Sequence, residues 1–388
     1  MKEKFCEITD FVRTIYGSNY IPLHRPVFEG NEKKYLANCV DSNFVSTVGS
    51  QVDDFEREVA SFTGASYSIA VVNGTAALQI SLQLAGVEPD DEVITQPVTF
   101  VAICNAISHA GAKPVFVDVD LDTMGMSPES LNSFLRENAF VSKGRAYNKI
   151  TGKKFGACCP MHTFGTPCRI EEIVSVCNEF GIPVVEDSAE ALGSYISDCH
   201  VGNYGLLAAL SFNGNKVITT GGGGMILTNN EELADRARHI TTTSKVPHPY
   251  EFIHDEIGYN FRMPSLNASL GCAQMEKLDK ILSIKAEVNS LYFNFFQKTE
   301  WKLMTAPIGN TSNYWLNVLI MNSRDERRAF LEYSNSKGVM TRPLWGLMSK
   351  QKMFRDCQTD GLTNSKWLEE RVVNIPSSVP DGRFQQLK

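Results

Sequence analysis

The stretch SIAVVNGTAALQISLQLAGVEPDDEVIT, residues 68–95, decides the fold of this 388-residue chain. It opens with an apolar run of strand length, continues with a segment of helical length and closes with a second apolar run. Two strands joined in this way run parallel in one sheet, because a parallel pair requires a long crossover connection that is usually a helix. The stretch therefore predicts a βαβ unit and an α/β domain.

The same alternation continues along the chain. Further apolar runs lie at residues 113–118, 155–159 and 182–186. Segments of helical length lie at residues 99–110, 127–135 and 170–180, and, after four glycines at 221–224, at residues 230–240 and 265–296. We therefore predict a large domain over residues 1–263, with a mainly parallel sheet and an amphipathic N-terminal helix, and a smaller C-terminal domain over residues 264–388.

Composition excludes several classes of protein. The chain is 43% hydrophobic and 21% charged, which is typical of soluble globular proteins, and no apolar run approaches the roughly 18 residues of a membrane span. The net charge of −7 gives no broad attraction to nucleic acid. The ten cysteines show neither a Cys-x-x-Cys pair nor a zinc-binding spacing. We expect a cytoplasmic enzyme without a metal, a nucleic-acid partner or a membrane partner.

Polar residues follow the first predicted strand, at the carboxyl end where ligands bind in such sheets. Asn73-Gly74-Thr75 begins a helix, whose free backbone N–H groups and positive dipole end are suited to a phosphate. A glycine before a helix is as often a plain turn residue, so this motif alone leaves both interpretations open.

An aromatic residue, Phe100, follows the strand predicted at residues 92–95. Its ring would lie over the same edge of the sheet and could stack on a flat heterocycle. Taken alone, a phenylalanine at such a position is more often a core residue.

Two carboxylates, Glu186 and Asp187, stand where another apolar strand leaves the sheet. A buried carboxylate is unfavourable without a cationic partner, and a protonated pyridine nitrogen is one such partner. The alternative is that Asp187 only caps the next helix.

The fourth feature is Lys216, which follows the apolar run at residues 207–210 and precedes the glycines at 221–224. A lysine amine held in a desolvated pocket becomes nucleophilic and can form a Schiff base. The glycines fit neither a phosphate-binding P-loop, because Met225 follows them, nor a dinucleotide fingerprint, because they precede a strand. A hairpin turn that lets the backbone approach a ligand explains them better.

In order along the chain, six motifs resemble those of the DegT/StrS family of nucleotide-sugar aminotransferases, at residues 73–78, 99–100, 186–191, 211–216, 219–224 and 258–263. The resemblance extends from about Ile21 to the C-terminus. It implies a fold-type I aminotransferase that depends on pyridoxal phosphate (PLP), with a seven-stranded type of sheet in the large domain and a smaller C-terminal α/β domain.

The resemblance also implies the roles of three residues. Lys216 matches the lysine that holds PLP as a Schiff base and moves the proton. Asp187 matches the partner of the pyridinium nitrogen. Asn260 matches a residue that reaches the cofactor phosphate of a neighbouring subunit, which implies a homodimer with shared active sites.

Five further residues match cofactor-binding positions of the family. Gly74, Thr75 and Ser211 match positions that surround the phosphate, and Phe100 matches the aromatic residue that stacks on the ring. Glu190 matches a position near the ring hydroxyl, where the family often has glutamine or histidine, so the role of a carboxylate here is open.

Residues 213–224 and 341–345 are similar to a subgroup that aminates C4 of a UDP-linked 4-keto-6-deoxy-N-acetylhexosamine, with glutamate as donor, for legionaminic-acid-type surface sugars. A GDP-perosamine-like specificity is the alternative. Arg342 is a candidate ligand of the diphosphate because its guanidinium matches phosphate oxygens, although a solvated arginine is as plausible. His162, after another strand, lines the pocket or only packs in the core.

Two functions of other classes remain as alternatives. One is a PLP-fold protein that binds a nucleotide sugar without catalysis, and the other is a dehydratase or lyase on the same scaffold. The presence of Lys216 and Asp187 disfavours the first, and Lys216 disfavours the dehydratases, which have histidine at that position.

Overall fold

The computed structural model of the protein describes residues 2–47 and 49–382. Met1, Val48 and residues 383–388, which the predicted domain ranges include, lie outside the described residues.

Three helices open the described chain, and strands and helices then alternate, with one run of three strands, from residue 67 to residue 187. The α-helices of the described residues are α1 (Lys2–Tyr16), α2 (Glu32–Asp41), α3 (Ser50–Thr63), α4 (Gly74–Leu84), α5 (Val101–His109), α6 (Pro128–Asn138), α7 (Ile170–Phe180), α8 (Glu231–Thr241), α9 (Ser265–Met275), α10 (Leu278–Phe296), α11 (Arg324–Ser336) and α12 (Thr363–Glu369). The single helical stretch predicted at residues 265–296 is two helices, α9 and α10.

The strands of the described residues fall into one large sheet, one smaller sheet, a short three-stranded sheet and two short pairs. They are β1 (Tyr67–Val71), β2 (Glu92–Thr95), β3 (Lys113–Phe116), β4 (Ala139–Ser142), β5 (Arg145–Asn148), β6 (Phe155–Cys159), β7 (Val185–Asp187), β8 (Tyr195–Ile196), β9 (Cys199–His200), β10 (Leu207–Ser211), β11 (Gly224–Thr228), β12 (Lys245–Val246), β13 (Ile253–His254), β14 (Lys302–Leu303), β15 (Asn310–Thr311), β16 (Asn317–Ile320), β17 (Arg342–Pro343) and β18 (Val372–Ile375).

Side-chain caps explain where several helices begin. Asn73 accepts a hydrogen bond from the Ala76 N–H at the start of α4, at 2.8 Å. Ser127 and Ser323 cap α6 and α11 in the same way. These residue types satisfy N–H groups that the first helical turn leaves without a partner.

The large sheet has the strand order β3-β2-β6-β7-β10-β11-β1. Its two hydrogen-bonded halves, β3-β2-β6 and β7-β10-β11-β1, are joined by parallel bridges from Cys158 to Val184 and from Met161 to Asp187. The pairs β2/β3, β2/β6 and β7/β10 are parallel, whereas β11 is antiparallel to both of its neighbours. The predicted mainly parallel, seven-stranded sheet is confirmed.

Alternate residues of the sheet face opposite helical layers. In β1, Ile69 and Val71 pack with α4, α5 and α8, whereas Ala70 packs with α3 and α9. The other half of the sheet packs with α6 and α7 through residues such as Val115. Helices on both faces bury the strands completely, which explains their continuous apolar runs.

The smaller sheet, β14-β16-β18-β17, is antiparallel throughout and packs with α10 and α11. The N-terminal helix α1 joins this core, since Phe5, Ile8 and Val12 pack against Tyr292 and Phe330. The prediction assigned α1 to the large domain, and its apolar face lies instead on the C-terminal helices. The boundary at residues 263 and 264 stays a prediction. Among the described residues, no helix combines the length and the apolar character that a membrane span requires.

Replacing Gly271 with alanine tests the packing of α9 on α3. An added Cβ atom would lie 2.6 Å from the Phe55 ring. That ring is fully buried and lies 5.0 Å from the ring of Phe212, centroid to centroid, so it cannot move aside. We expect Gly271→Ala to lower the free energy of unfolding, measured in urea, by about 1–3 kcal/mol.

The matched control is Gly361→Ala, since the nearest atom to its added Cβ is 3.8 Å away. The control should change the free energy of unfolding by less than about 0.5 kcal/mol. Equal stability of the two variants would contradict the tight packing of α9.

Candidate active site

A cavity of about 320 Å³ lies at the carboxyl ends of β1, β7 and β10. Seven of the predicted site residues line this cavity: Gly74, Thr75, Phe100, Asp187, Glu190, Ser211 and Lys216. They come from four separate turns that the parallel sheet brings to one edge.

The end of the cavity near α4 is suited to a phosphate. The first turn of α4 lies so close to β10 that a Cβ atom on Gly74 would be 2.9 Å from the Ser211 Cβ. A Cβ atom on Gly224 would lie 2.4 Å from the Asn73 carbonyl oxygen. Glycine at both positions therefore brings the helix N-terminus, Thr75 and Ser211 to one small cradle.

Asp187 lies at the end of β7, and its carboxyl group is nearly completely buried. It accepts a hydrogen bond from the Ala189 N–H at 3.1 Å. Burial raises the pKa of Asp187, because the charged form is poorly solvated. A cationic ring nitrogen placed against this carboxylate would stabilise its charged form.

Lys216 projects into the cavity between a carboxylate and an aromatic ring. Its Nζ lies 3.3 Å from Glu190 Oε1 and 4.3 Å from the centroid of the Trp315 ring. A cation over the face of an indole is stabilised by the ring quadrupole. Both contacts hold the amine beside Asp187, on the floor of the cavity.

The Glu190 carboxyl group is fixed from its other side. Its Oε2 accepts a hydrogen bond from the Phe164 N–H at 2.9 Å. Burial raises the pKa of Glu190 to about 7, despite the nearby charge of Lys216. Glu190 can therefore take up or release a proton near neutral pH beside the Lys216 amine.

Two aromatic residues complete the walls of the cavity. Phe100 is 52% exposed, and its ring centroid lies 6.3 Å from that of Trp345. An exposed ring at the mouth is free to stack on a flat heterocycle, so Phe100 is not a core residue.

The residues of the cavity fit PLP. A phosphate cradle, a carboxylate for the ring nitrogen, an amine for the aldehyde carbon and an exposed ring for stacking all border one cavity of about 320 Å³. Asp187 would hold the ring nitrogen, Gly74, Thr75 and Ser211 the phosphate, and Lys216 the aldehyde.

His162 is fully buried and does not border the cavity. Its Nε2 lies 3.0 Å from Glu186 Oε2, and its Nδ1 accepts the Cys168 N–H. The Nδ1 atom that accepts this N–H carries no proton, so His162 is a neutral imidazole that donates its Nε2–H to Glu186. Of the two alternatives for His162, the structure favours packing.

The Glu186 carboxylate also accepts N–H groups of Gly202, Tyr204 and Gly205. Burial would raise its pKa, yet His162 and these N–H groups together lower it. Glu186 is therefore a structural carboxylate, unlike Asp187 beside it.

The two remaining predicted residues lie outside the cavity. Arg342, in β17, borders an adjoining groove. Asn260 is exposed, and a backbone bridge joins it to Thr242. Its predicted contact requires a second subunit and stays a prediction.

Trp315, whose ring contacts Lys216, was not among the predicted site residues. The Trp315 Nε1–H donates to the Asn215 carbonyl oxygen at 2.6 Å, which orients the indole. Trp315 stands in an irregular segment before β16, with no motif around it. The one feature that marks Trp315 in the sequence is that tryptophan is rare, with four in the chain.

Comparison with known proteins extends these observations. Residues 26–380 match the model of the DegT/DnrJ/EryC1/StrS aminotransferase family. The GDP-perosamine synthase of Escherichia coli O157:H7 is 34% identical over 360 residues, which cover 92% of this chain and 93% of that protein. The GDP-perosamine synthase of Vibrio cholerae is 31% identical over 360 residues, with 92% and 94% covered.

A solved structure has the same fold. The aminotransferase TlmJ from Streptoalloteichus hindustanus superposes with a TM-score of 0.83 at 25% sequence identity. The superposition covers 92% of this chain and 94% of that chain.

Replacing His162 with leucine tests whether this residue is structural. Removal of the imidazole leaves the buried Glu186 carboxylate without one of its hydrogen-bond donors, which typically costs about 1–3 kcal/mol. We expect His162→Leu to lower the free energy of unfolding by that amount and to leave the KM for the sugar acceptor within about twofold. A raised KM with unchanged stability would contradict the structural role.

Replacing Glu190 with glutamine tests the raised pKa of this carboxyl group. The folded-state pKa of about 7 lies above the ordinary value of 4.5. Between these two values the folded protein binds more protons than the unfolded chain, so wild-type stability falls as the pH rises through this window. Glutamine has no such titration.

We therefore expect the difference in free energy of unfolding, Glu190→Gln minus wild type, to increase by about 3 kcal/mol between pH 4.5 and pH 7. The measurement is made on the cofactor-free protein. Chemical denaturation at several pH values measures this difference. The control is Glu332→Gln, an exposed residue on α11. A Glu190→Gln difference that stays constant with pH would show that the carboxyl group titrates normally.

Proposed function

Because the chain belongs to the DegT/DnrJ/EryC1/StrS aminotransferase family, we propose that it transfers an amino group from glutamate to C4 of a nucleotide-linked 4-keto-6-deoxy sugar. The chain is a PLP-dependent sugar aminotransferase, as predicted from its motifs. The observation that carries the proposal is the position of Lys216 Nζ, 3.3 Å from the Glu190 carboxylate in the cavity that Asp187 also lines.

The family predicted from the sequence is confirmed, but its subgroup is not. Residues 213–224 and 341–345 pointed to enzymes of UDP-linked sugars, whereas the E. coli and V. cholerae relatives are GDP-perosamine synthases. These relatives favour the alternative, so we propose a GDP-linked acceptor before a UDP-linked one. We also propose a role in surface-glycan biosynthesis and a homodimer in which Asn260 reaches the partner's site.

Three residues of the cavity have separate roles in the proposed reaction. PLP, when bound, supplies an electron sink next to the carbon that gains or loses a proton. The Lys216 amine is the base that moves this proton, because it is the lysine amine that lines the cavity. Asp187 would hold the ring nitrogen of bound PLP and favour its protonated form. Glu190 can receive a proton from Lys216 over 3.3 Å and return it.

Aromatic rings form one wall beside this amine. Trp315 covers one side of Lys216, and its ring centroid lies 6.3 Å from that of Phe164, which packs in turn at 4.6 Å from Trp345. The Lys216 side chain is only 14% exposed, and its partial burial strengthens its contact with Glu190.

Absorbance spectroscopy of the PLP-loaded protein tests the proposed function. We expect glutamate to bleach the cofactor band of wild type, and a GDP-linked 4-keto-6-deoxy sugar to restore it. The UDP-linked sugar should restore the band at least about tenfold more slowly, since recognition of a different base typically changes specificity by more than about 1.4 kcal/mol.

Lys216→Ala is the matched control, because it removes the amine and leaves the phosphate cradle. It should bind PLP, but glutamate should not bleach the band, because the base that moves the proton is absent. The proposal would be contradicted if glutamate did not change the wild-type band, or if no nucleotide-linked keto sugar restored it. Either result would favour a binding protein or another PLP reaction.

A further inference from the structure

Two groups flank the Lys216 amine, and they come from distant parts of the chain. Glu190 follows β7 and lies 3.3 Å from the amine, whereas Trp315 precedes β16 and lies 4.3 Å from it, measured to the ring centroid. A group that is displaced by about 1 Å from its productive position can lose about 100-fold in rate. A contact that fixes these two groups relative to each other therefore supports the proton transfer at Lys216.

One buried side chain makes this contact. Asn313 is 2% exposed, and its Nδ2 donates to the carbonyl oxygens of Glu190, at 2.8 Å, and Leu192, at 2.9 Å. Its Oδ1 accepts the Trp315 N–H at 2.8 Å. Carbonyl oxygens can only accept and a backbone N–H can only donate, so this orientation of the amide satisfies all three bonds. One amide group thus joins the backbones of the two residues that contact Lys216.

The turn at residues 163–165 fits closely around this amide. A Cβ atom on Gly165 would overlap Asn313 Oδ1, so the turn can approach only because position 165 has no side chain. The Gly165 carbonyl oxygen accepts the hydroxyl groups of Ser194, at 2.7 Å, and Ser312, at 3.0 Å. The Asn313 N–H donates to Ser194 Oγ at 3.0 Å. The turn is therefore bonded to the segments on both sides of it.

The same turn holds the Glu190 carboxylate. Phe164 has a backbone φ of 56°, which is rare for a bulky residue, and its N–H donates to Glu190 Oε2 at 2.9 Å. A strained backbone persists only where the surrounding structure determines it, and such positions are frequent at functional sites. The bonds to Gly165 supply this support, so the segment around Asn313 holds Glu190 through its carbonyl group and through its carboxylate.

We propose that Asn313 is a positioning residue for the proton transfer at Lys216, because it sets the places of the Glu190 carboxylate and the Trp315 indole. Asn313 does not border the cavity, so it acts through these two residues. The inference rests on the proposed function and adds a residue of the C-terminal part on which the reaction depends.

Asn148 is a matched control, because its side chain has the same pattern of bonds away from the cavity. It is fully buried, and its Nδ2 donates to Glu92 Oε2, at 2.7 Å, and Gln358 Oε1, at 2.6 Å. Its Oδ1 accepts the N–H of Ile150, two residues later, as Asn313 accepts the N–H two residues after it. Replacement of either asparagine with alanine should lower the melting temperature by a similar amount.

The rate at which saturating glutamate bleaches the PLP-loaded protein tests the proposal. We expect Asn313→Ala to lower this rate at least about tenfold, since it displaces groups beside the reacting proton. The half-saturating glutamate concentration should change less than about threefold, because no substrate contact is removed. Asn148→Ala should stay within about threefold of wild type in both quantities.

A double-mutant cycle with Glu190→Gln separates positioning from plain stability. If Asn313 acts through Glu190, the rate penalty of Asn313→Ala should be at least about threefold smaller in the Glu190→Gln background than in wild type. The effect of Asn148→Ala should be the same in both backgrounds. If Asn313→Ala does not fold, Asn313→Asp replaces it, since it keeps the acceptor for Trp315 and loses the donors to Glu190 and Leu192.

A pH titration of the cofactor band, without glutamate, gives a second measurement. A nearby carboxylate favours the protonated form of the Lys216 nitrogen, so Glu190→Gln should lower the pH midpoint of the band by about 0.5 or more. Asn313→Ala should lower the midpoint in the same direction, and Asn148→Ala should not change it.

An unchanged midpoint in Asn313→Ala, or an equal rate penalty in both backgrounds, would overturn the inference and leave Asn313 as a structural residue. Failure of glutamate to bleach wild type would count against the proposed function, and the midpoints would still decide the role of Asn313.

Discussion

The close approach of α4 to β10 sets the geometry of the whole site. Gly74 and Ser211 lie so near that no larger residue than glycine fits at position 74 without displacing β10. Gly224 allows the same approach between β11 and the Asn73 carbonyl. Because β10 leads directly to Lys216, this contact fixes the distance between the phosphate cradle and the reactive amine. A cofactor that spans both is held at both ends by one packing interaction.

The adjacent carboxylates of β7 have opposite roles because successive residues of a strand face opposite sides. Glu186 points into the protein, where His162 and three backbone N–H groups donate hydrogen bonds to its carboxylate. This buried cluster joins β7 to the residues after β6, at the seam between the two halves of the sheet. Asp187 points to the cavity, and a backbone hydrogen bond from its N–H to the Pro160 carbonyl crosses the same seam. The contacts of Glu186 thus fix the end of β7, from which Asp187 points to the cavity.

The sequence predicted the features that depend on neighbouring residues. The strands at residues 92–95 and 155–159 have these same bounds in the structure, because apolar runs between turn residues are local signals. The turns after the strands were found for the same reason. Trp315 could not be found, since it reaches the site only through tertiary packing. Amphipathicity predicted α1 as a helix, but it does not show which core buries its apolar face.

The C-terminal part of the chain forms the upper wall of the site, and a buried lysine holds this wall in place. Lys285, on α10, donates hydrogen bonds to the carbonyl oxygens of Trp315, at 3.3 Å, and Ser377, at 2.6 Å. Burial lowers the pKa of Lys285 to about 7, because a charged amine is poorly solvated in this core. The neutral amine avoids this desolvation cost. Trp315, which covers Lys216, is thus hydrogen-bonded to α10, and α10 also packs against α1. The smaller core therefore contributes to catalysis by placing the indole ring, although none of its buried residues touches the cofactor cavity.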